Sequence, residues 1–126
     1  MKLLADANWL IRLRGEIRQN QQGPAFRLLQ EEPIYINTVA QAEFLSAGRD
    51  PEVLKILARC VRLKPLTYED ANDAGSLRFA RQRAGKTLHL PDALMAATAL
   101  RRHMRLLTAD KDFSGIPGLK WSSYPH

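Results

Sequence analysis

Four carboxylates stand where a parallel α/β sheet would bring them together: Asp6, Glu43, Asp92 and Asp110, with Asp112 as a possible fifth. Asp6 is the most informative. It interrupts the apolar run Leu3-Leu4-Ala5 just before Asn8-Trp9-Leu10-Ile11, where a core strand does not normally place a charge. Clustered acids repel one another and lose hydration, so a fold keeps them together only if a cation or a shared proton compensates. The simplest compensation is a hard divalent metal, for which carboxylate oxygen is the preferred ligand. Taken singly, three of the acids have ordinary explanations. Asp92 after Pro91 complements a helix N-terminus, Asp110 and Asp112 suit a turn, and Glu43 suits a solvated face. Jointly those explanations are poor, and Asp6 is not covered by any of them.

The elements that must position these acids alternate between strand and helix. Residues 2–5 read as a buried strand ending at Asp6, and 8–13 as the start of a helix. The Gln-rich stretch 15–23 reads as a loop or a fraying segment. Pro24 opens a second helix, and Ile34-Tyr35-Ile36 forms the second strand. Thr38-Val39-Ala40-Gln41 has the capping-box pattern, so Thr38 is expected to cap the helix that ends at Gly48. Asp50-Pro51 starts another helix, with Val53, Leu54, Leu57 and Val61 at helical spacing. Residues 63–66 are expected as a third strand, placed at an edge by Pro65. A helix over 67–83 ends at Gly85, a helix over 92–103 begins at Pro91, and strands follow at 105–108 and 119–124. This order predicts an α/β fold in one domain, residues 1–126, with a parallel sheet of four to five strands and helices on both faces.

In such a sheet the ligand site lies beyond the carboxyl ends of the strands. Asp6 ends the first strand, and Asp110 and Asp112 follow the fourth. Glu43 lies about one and a half turns into the helix after the second strand, at ~3.6 residues per turn. Asp92 is in the first turn of its own helix. All four can therefore point at one edge.

Composition narrows the partners. The 126 residues carry 45% apolar and 25% charged side chains, ordinary values for one globular domain. Nineteen Lys and Arg against thirteen Asp and Glu leave a formal charge of +6, so an acidic partner is expected, with nucleic acid the commonest. Cys60 is the only cysteine, which excludes an intrachain disulfide and fits a reducing compartment. No signal peptide is recognisable, and the apolar stretch 90–100 is shorter than the roughly 20 residues a bilayer needs. A cytoplasmic protein with no membrane association is expected. His89, His103 and His126 lack zinc spacing, and no glycine-rich nucleotide loop or nucleophile elbow is present.

The blocks Leu3 to Ile11, Thr38 to Gly48, Leu90 to Leu100 and Leu107 to Phe113 together resemble a PIN domain. Their order, spacing and total length are similar to those of a small prokaryotic toxin of the VapC type. The resemblance covers essentially the whole chain. It implies a metal-dependent ribonuclease inhibited by a co-encoded antitoxin protein, and a homodimer. It places Asp6, Glu43, Asp92 and Asp110 in the family's acidic quartet and gives Asn8 and Thr108 supporting positions. Ala7 stands where the family often has Thr or Ser, and Asp112 matches a frequent auxiliary acid.

The chemistry agrees with that implication. One or two Mg²⁺ or Mn²⁺ ions can acidify a water and stabilise a leaving oxygen, so a 5′-phosphate product is expected. Asp6 and Asp92 are expected as the most direct ligands, with Glu43 and Asp110 completing the site. Arg81, Arg83, Lys86, Arg101, Arg102 and Lys111 are candidate contacts to the RNA backbone, about half of which would instead be a solvated face. Trp9, Leu10, Phe26 and Phe44 are expected to line an apolar groove near the site that accepts a partner helix, the alternative being ordinary core, which for Phe44 is weighed equally. Two rival classes remain. A catalytically silent PIN-fold module binding RNA or protein gains nothing from acids that repel phosphate. A receiver-like signalling domain needs a phosphoacceptor Asp after its middle strand, and none is found.

Overall fold

The computed structural model describes residues 1–122. The elements run β1 (Leu3–Ala5), α1 (Ala7–Arg18), α2 (Pro24–Glu31), β2 (Ile34–Ile36), α3 (Thr38–Ser46), α4 (Pro51–Arg59), β3 (Val61–Arg62), α5 (Tyr68–Arg83), α6 (Leu90–Arg101), β4 (Arg105–Leu107) and β5 (Trp121–Ser122). A 3₁₀ turn, Lys111–Phe113, joins the last two strands. The strands form one sheet in the order β3-β2-β1-β4-β5, every pair parallel. Central β1 sets Leu3 beside both Ile34 and Arg105, and it is buried along its whole length. That is why its residues are apolar without alternation.

The chain leaves β1 toward β2 and β3, then crosses back to β4 on the other side of β1. This reversal is made through α5 and α6, which pack against each other. It also opens a crevice at the carboxyl ends of β1 and β4. Asp6 stands in that crevice, its backbone N–H donating to the Leu107 carbonyl at 3.2 Å.

Several expected boundaries move, each for a tertiary reason. Helix α1 does not fray at Gly15 but continues to Arg18. Ile17 packs on the core, and the buried Glu16 carboxylate accepts from Phe26 N at 2.8 Å and Ala25 N at 3.3 Å, tying α1 to the start of α2. Helix α3 is capped by Asn37, one residue before Thr38; the Asn37 Oδ1 accepts from Ala40 N at 2.9 Å. The third strand is at the sheet edge, as Pro65 demands, but it occupies Val61–Arg62 rather than 63–66. The last strand is Trp121–Ser122; the expected extension to Tyr124 lies outside the described residues. Cys60 follows α4, buried, with its thiol pushed up to about 11 by desolvation, consistent with a core residue and not a nucleophile.

The expected groove needs a larger correction. Trp9, Leu10 and Phe44 are fully buried, and only Phe26 remains partly accessible. They fill the core that α1 and α3 share. The large apolar side chains that do meet solvent are others, among them Phe79 and Leu90. Among the described residues no helix is long and apolar enough to cross a membrane.

Candidate active site

Asp6 is held by the turn from β1 into α1. Its Oδ1 accepts from Trp9 N at 2.8 Å, which makes it the N-cap of α1, and the Thr108 hydroxyl donates to the same carboxylate. Only 7% of the residue is exposed. Desolvation raises its pKa to about 6; those two hydrogen bonds work against the rise, and the charges of Asp92 and Glu43 add to it. The structure therefore buries this carboxylate beside other acids and gives it two hydrogen bonds, from Trp9 N–H and the Thr108 hydroxyl.

Asp92 lies in the first turn of α6, whose N1–N2 region carries Pro91 and whose cap, His89, makes no side-chain capping bond. Half-burial pushes its pKa upward, and then Asp110 and Glu43 push the same way; His89 opposes them, and Asp112 adds the least. The helix N-terminus would favour an anion here, yet the net direction is up. Desolvation, first, and then repulsion from the neighbouring acids outweigh it. Glu43 projects from α3 and is exposed. Asp110 is half-buried at the end of the β4 segment, where its N–H donates to Thr108 Oγ1 at 3.1 Å and its Oδ1 accepts from Asp112 N at 2.9 Å. Asp112 is exposed on the 3₁₀ turn.

Asp92 thus links the five sequence-predicted acids: it and Glu43 act on Asp6, and Asp110, Glu43 and Asp112 act on Asp92, with Asp6 the most buried of them. Thr108 links the two sides of the crevice, bonding to the Asp6 carboxylate and to the Asp110 backbone. Asn8 is exposed on the first turn of α1, away from those bonds. As the side chains stand, no three His, Cys, Asp or Glu residues among the described ones enclose an ion. The donor chemistry nonetheless fits a hard divalent cation, since every participant is a carboxylate and two are driven toward protonation without one. Glu43 is exposed and Asp92 half-buried, so both can reorient without disturbing the core.

The basic residues divide. Arg102 is committed to the buried Asp70 through a two-point pair, 2.9 Å from Oδ1 and 3.2 Å from Oδ2, and Arg101 bonds Asp73 at 2.9 Å. These two pairs hold α6 to α5. Arg81 Nη2 reaches the Asp112 carbonyl at 3.3 Å, and Arg83 lies over the Phe79 ring at 5.7 Å. Lys86 and Lys111 are exposed.

A model of the PIN domain matches residues 3–119. The chain belongs to the PIN-domain family. The family's activity class is nuclease, and the gathered acids suit it. The fold is similar to that of VapBC2 from Rickettsia felis, solved on a DNA fragment from its promoter. That likeness has a TM-score of 0.78 at 20% identity, covering 98% of this chain and 99% of that one. VapBC-1 from nontypeable Haemophilus influenzae gives 0.76 at 19% identity, covering 98% of both chains. DNA-bound VapBC from Salmonella typhimurium gives 0.71 at 22% identity, again over 98% of both. None of the curated proteins matches.

Sequence reading missed two buried polar residues beside this PIN site, Asn37 and Thr98. The available signal was positional. Asn37 directly follows a strand, as Asp6 does.

Proposed function

We propose that this PIN domain is a metal-dependent endoribonuclease that hydrolyses RNA phosphodiester bonds, and the toxin of a toxin–antitoxin pair. The observation that carries the reading is Asp6: a buried carboxylate at the end of the central strand, raised to about 6 by desolvation, with Asp92 and Glu43 contributing to the rise. A fold retains such a cost where the charge is used. Asp6 and Asp92 are the direct donors to Mg²⁺ or Mn²⁺, Glu43 closes the site from α3, and Asp110 closes it from β4. When bound, the ion would neutralise the carboxylates and supply the Lewis acidity that phosphodiester hydrolysis needs. The chain's own residues do the rest. Thr108 orients Asp6, Asp110 fixes the turn that follows β4, and Lys86, Lys111, Arg83 and Arg81 remain to meet the RNA backbone.

The toxin role is supported by the fold likeness to VapBC proteins over nearly the full chain. An antitoxin encoded beside it, a homodimer and a reducing cytoplasm around the lone Cys60 complete the proposal.

The test is cleavage of a single-stranded RNA with Mg²⁺ or Mn²⁺, with 5′-phosphate ends expected on the products. Asp6→Asn is expected to abolish it, and chelation to abolish it reversibly. Full activity in purified Asp6→Asn protein would overturn the assignment.

A further inference from the structure

Three neighbouring strands end alike. The residue after β1 is Asp6, the residue after β2 is Asn37 and the residue after β4 is Thr108; all three are polar and buried. Asp6 and Thr108 belong to the acidic site. Asn37 points elsewhere. Its Nδ2 donates to Thr98 Oγ1 on α6 at 3.0 Å, and the Thr98 hydroxyl donates in turn to the Leu94 carbonyl at 2.8 Å. Asn37 is 2% exposed and Thr98 not at all.

Capping does not explain this bond. The cap of α3 needs only an acceptor, and Ser, Thr or Asp would serve about as well as Asn. Nor does the cap use the amide nitrogen or the Thr98 hydroxyl, since the bond from Ala40 N is accepted by Asn37 Oδ1 alone. What the amide adds is a tie across elements. Asn37 lies six residues before Glu43 and Thr98 six residues after Asp92, so the bond joins the bases of the two segments that carry those acids. Repulsion between Glu43 and Asp92 acts to spread α3 from α6. The bond resists that spreading from within the core.

We infer that Asn37 and Thr98 are positioning residues of the acidic site: their hydrogen bond locks α3 to α6 and fixes the separation of the two helix segments from which Glu43 and Asp92 project. The inference rests on the metal-nuclease reading above. A partner acting behind the donors typically changes metal affinity by roughly ten- to a hundredfold when removed.

The experiment is calorimetric titration of the purified full chain with Mn²⁺, alongside RNA cleavage as a function of Mn²⁺ concentration. Thr98→Val removes the hydroxyl with little change of shape. Asn37→Ser keeps a capping oxygen but is too short to reach α6. Each is expected to weaken Mn²⁺ binding about tenfold, and the double variant to be no weaker than either single one. Thr98→Ser is expected to restore binding. Purely structural roles would lower the melting temperature of each variant and leave Mn²⁺ affinity unchanged. That outcome overturns the positioning role while the nuclease reading stands, provided wild type binds Mn²⁺ and Asp6→Asn does not. Failure of the wild type to bind Mn²⁺ would overturn both.

Discussion

Asp6 and Asp70 are both buried aspartates at the start of a helix, and the structure treats them in opposite ways. Asp70 sits in the capping box of α5, where it accepts from Thr67 N at 2.9 Å, and it faces the Arg102 guanidinium at two points. Arg102, first, and then the Thr67 bonds hold its carboxyl down at about 2 despite burial. Asp6 caps α1 with the same kind of bond, but it faces other acids and is raised to about 6. One carboxylate is compensated within the fold and serves stability. The other stands beside like charges, and in the function proposed above a bound cation would compensate it. Burial alone does not separate a structural acid from a functional one; the sign of the surrounding charge does.

Activity should separate the pair most sharply. Asp6→Asn is expected to reduce metal-dependent cleavage by more than about a hundredfold, beyond the loss typical of residues that merely support a metal donor. Asp70→Asn, assayed below its melting temperature, is expected to cleave within about twofold of wild type. Comparable losses in both variants, measured as kcat/KM on one RNA, would erase the distinction.

Stability should separate them in the other direction. Asp70→Ala leaves the partly buried Arg102 without its partner and α5 without its capping box, a change expected to cost about 3 kcal/mol in urea unfolding. Asp6→Asn keeps an oxygen for Trp9 N and removes an uncompensated charge, so at pH 7.5 without metal it is expected to gain about 1–3 kcal/mol. A loss of stability in Asp6→Asn would make Asp6 structural after all.

The two acids also predict opposite responses to pH. The folded pKa of Asp6, about 6, lies above its ordinary value of 3.8, so the folded state binds the extra proton between them. The stability linked to Asp6 is therefore full below about pH 4 and is lost as pH rises through 6. For Asp70, at about 2, the folded value lies below the ordinary one. Its stabilisation is present above about pH 4 and disappears as pH falls through 2. With chelator present, the stability advantage of Asp6→Asn over wild type is expected at pH 7.5 and to vanish at pH 4. An advantage independent of pH would show that charge burial is not its cause.

The same contrast explains what the sequence made visible. Asp6 could be read because it breaks an apolar strand, a local anomaly. Asp70 could not, because it follows Glu69 at the polar start of a helix and its partner lies 32 residues away. Asn37 and Thr98 are 61 residues apart, and neither residue type is unusual in its segment. The alternation of strands and helices, and the edge position of β3, follow from local pattern and were legible. The true length of α1 was not, because Glu16 looks like a solvent residue until α2 offers it two backbone donors. The aromatic residues near Asp6 were misplaced for a related reason. Proximity in sequence to a site does not tell which side of a helix faces it, and α1 turns Trp9 and Leu10 into the core.

Asp110 and Asp112 lie between these extremes and give the smallest expected difference. Both follow β4, but only Asp110 is tied to the crevice, through its N–H to Thr108, whose hydroxyl serves Asp6. Asp110 is also half-buried and ranks ahead of Asp112 in raising Asp92. Asp112 is exposed, and its contacts run through the backbone: its N–H donates to Asp110, and its carbonyl accepts from Arg81. Substitution of Asp112 by Ala keeps both of those backbone groups. Asp110→Ala is therefore expected to lower cleavage about tenfold, with part of the loss recovered at higher Mn²⁺ concentration, whereas Asp112→Ala stays within about twofold. Because Asp110→Ala also frees the 3₁₀ turn, recovery by Mn²⁺ is the telling readout; a loosened turn alone would not respond to metal. If Asp112→Ala proves the more damaging change, the fourth carboxylate is Asp112, and the site closes from the 3₁₀ turn rather than from the end of β4.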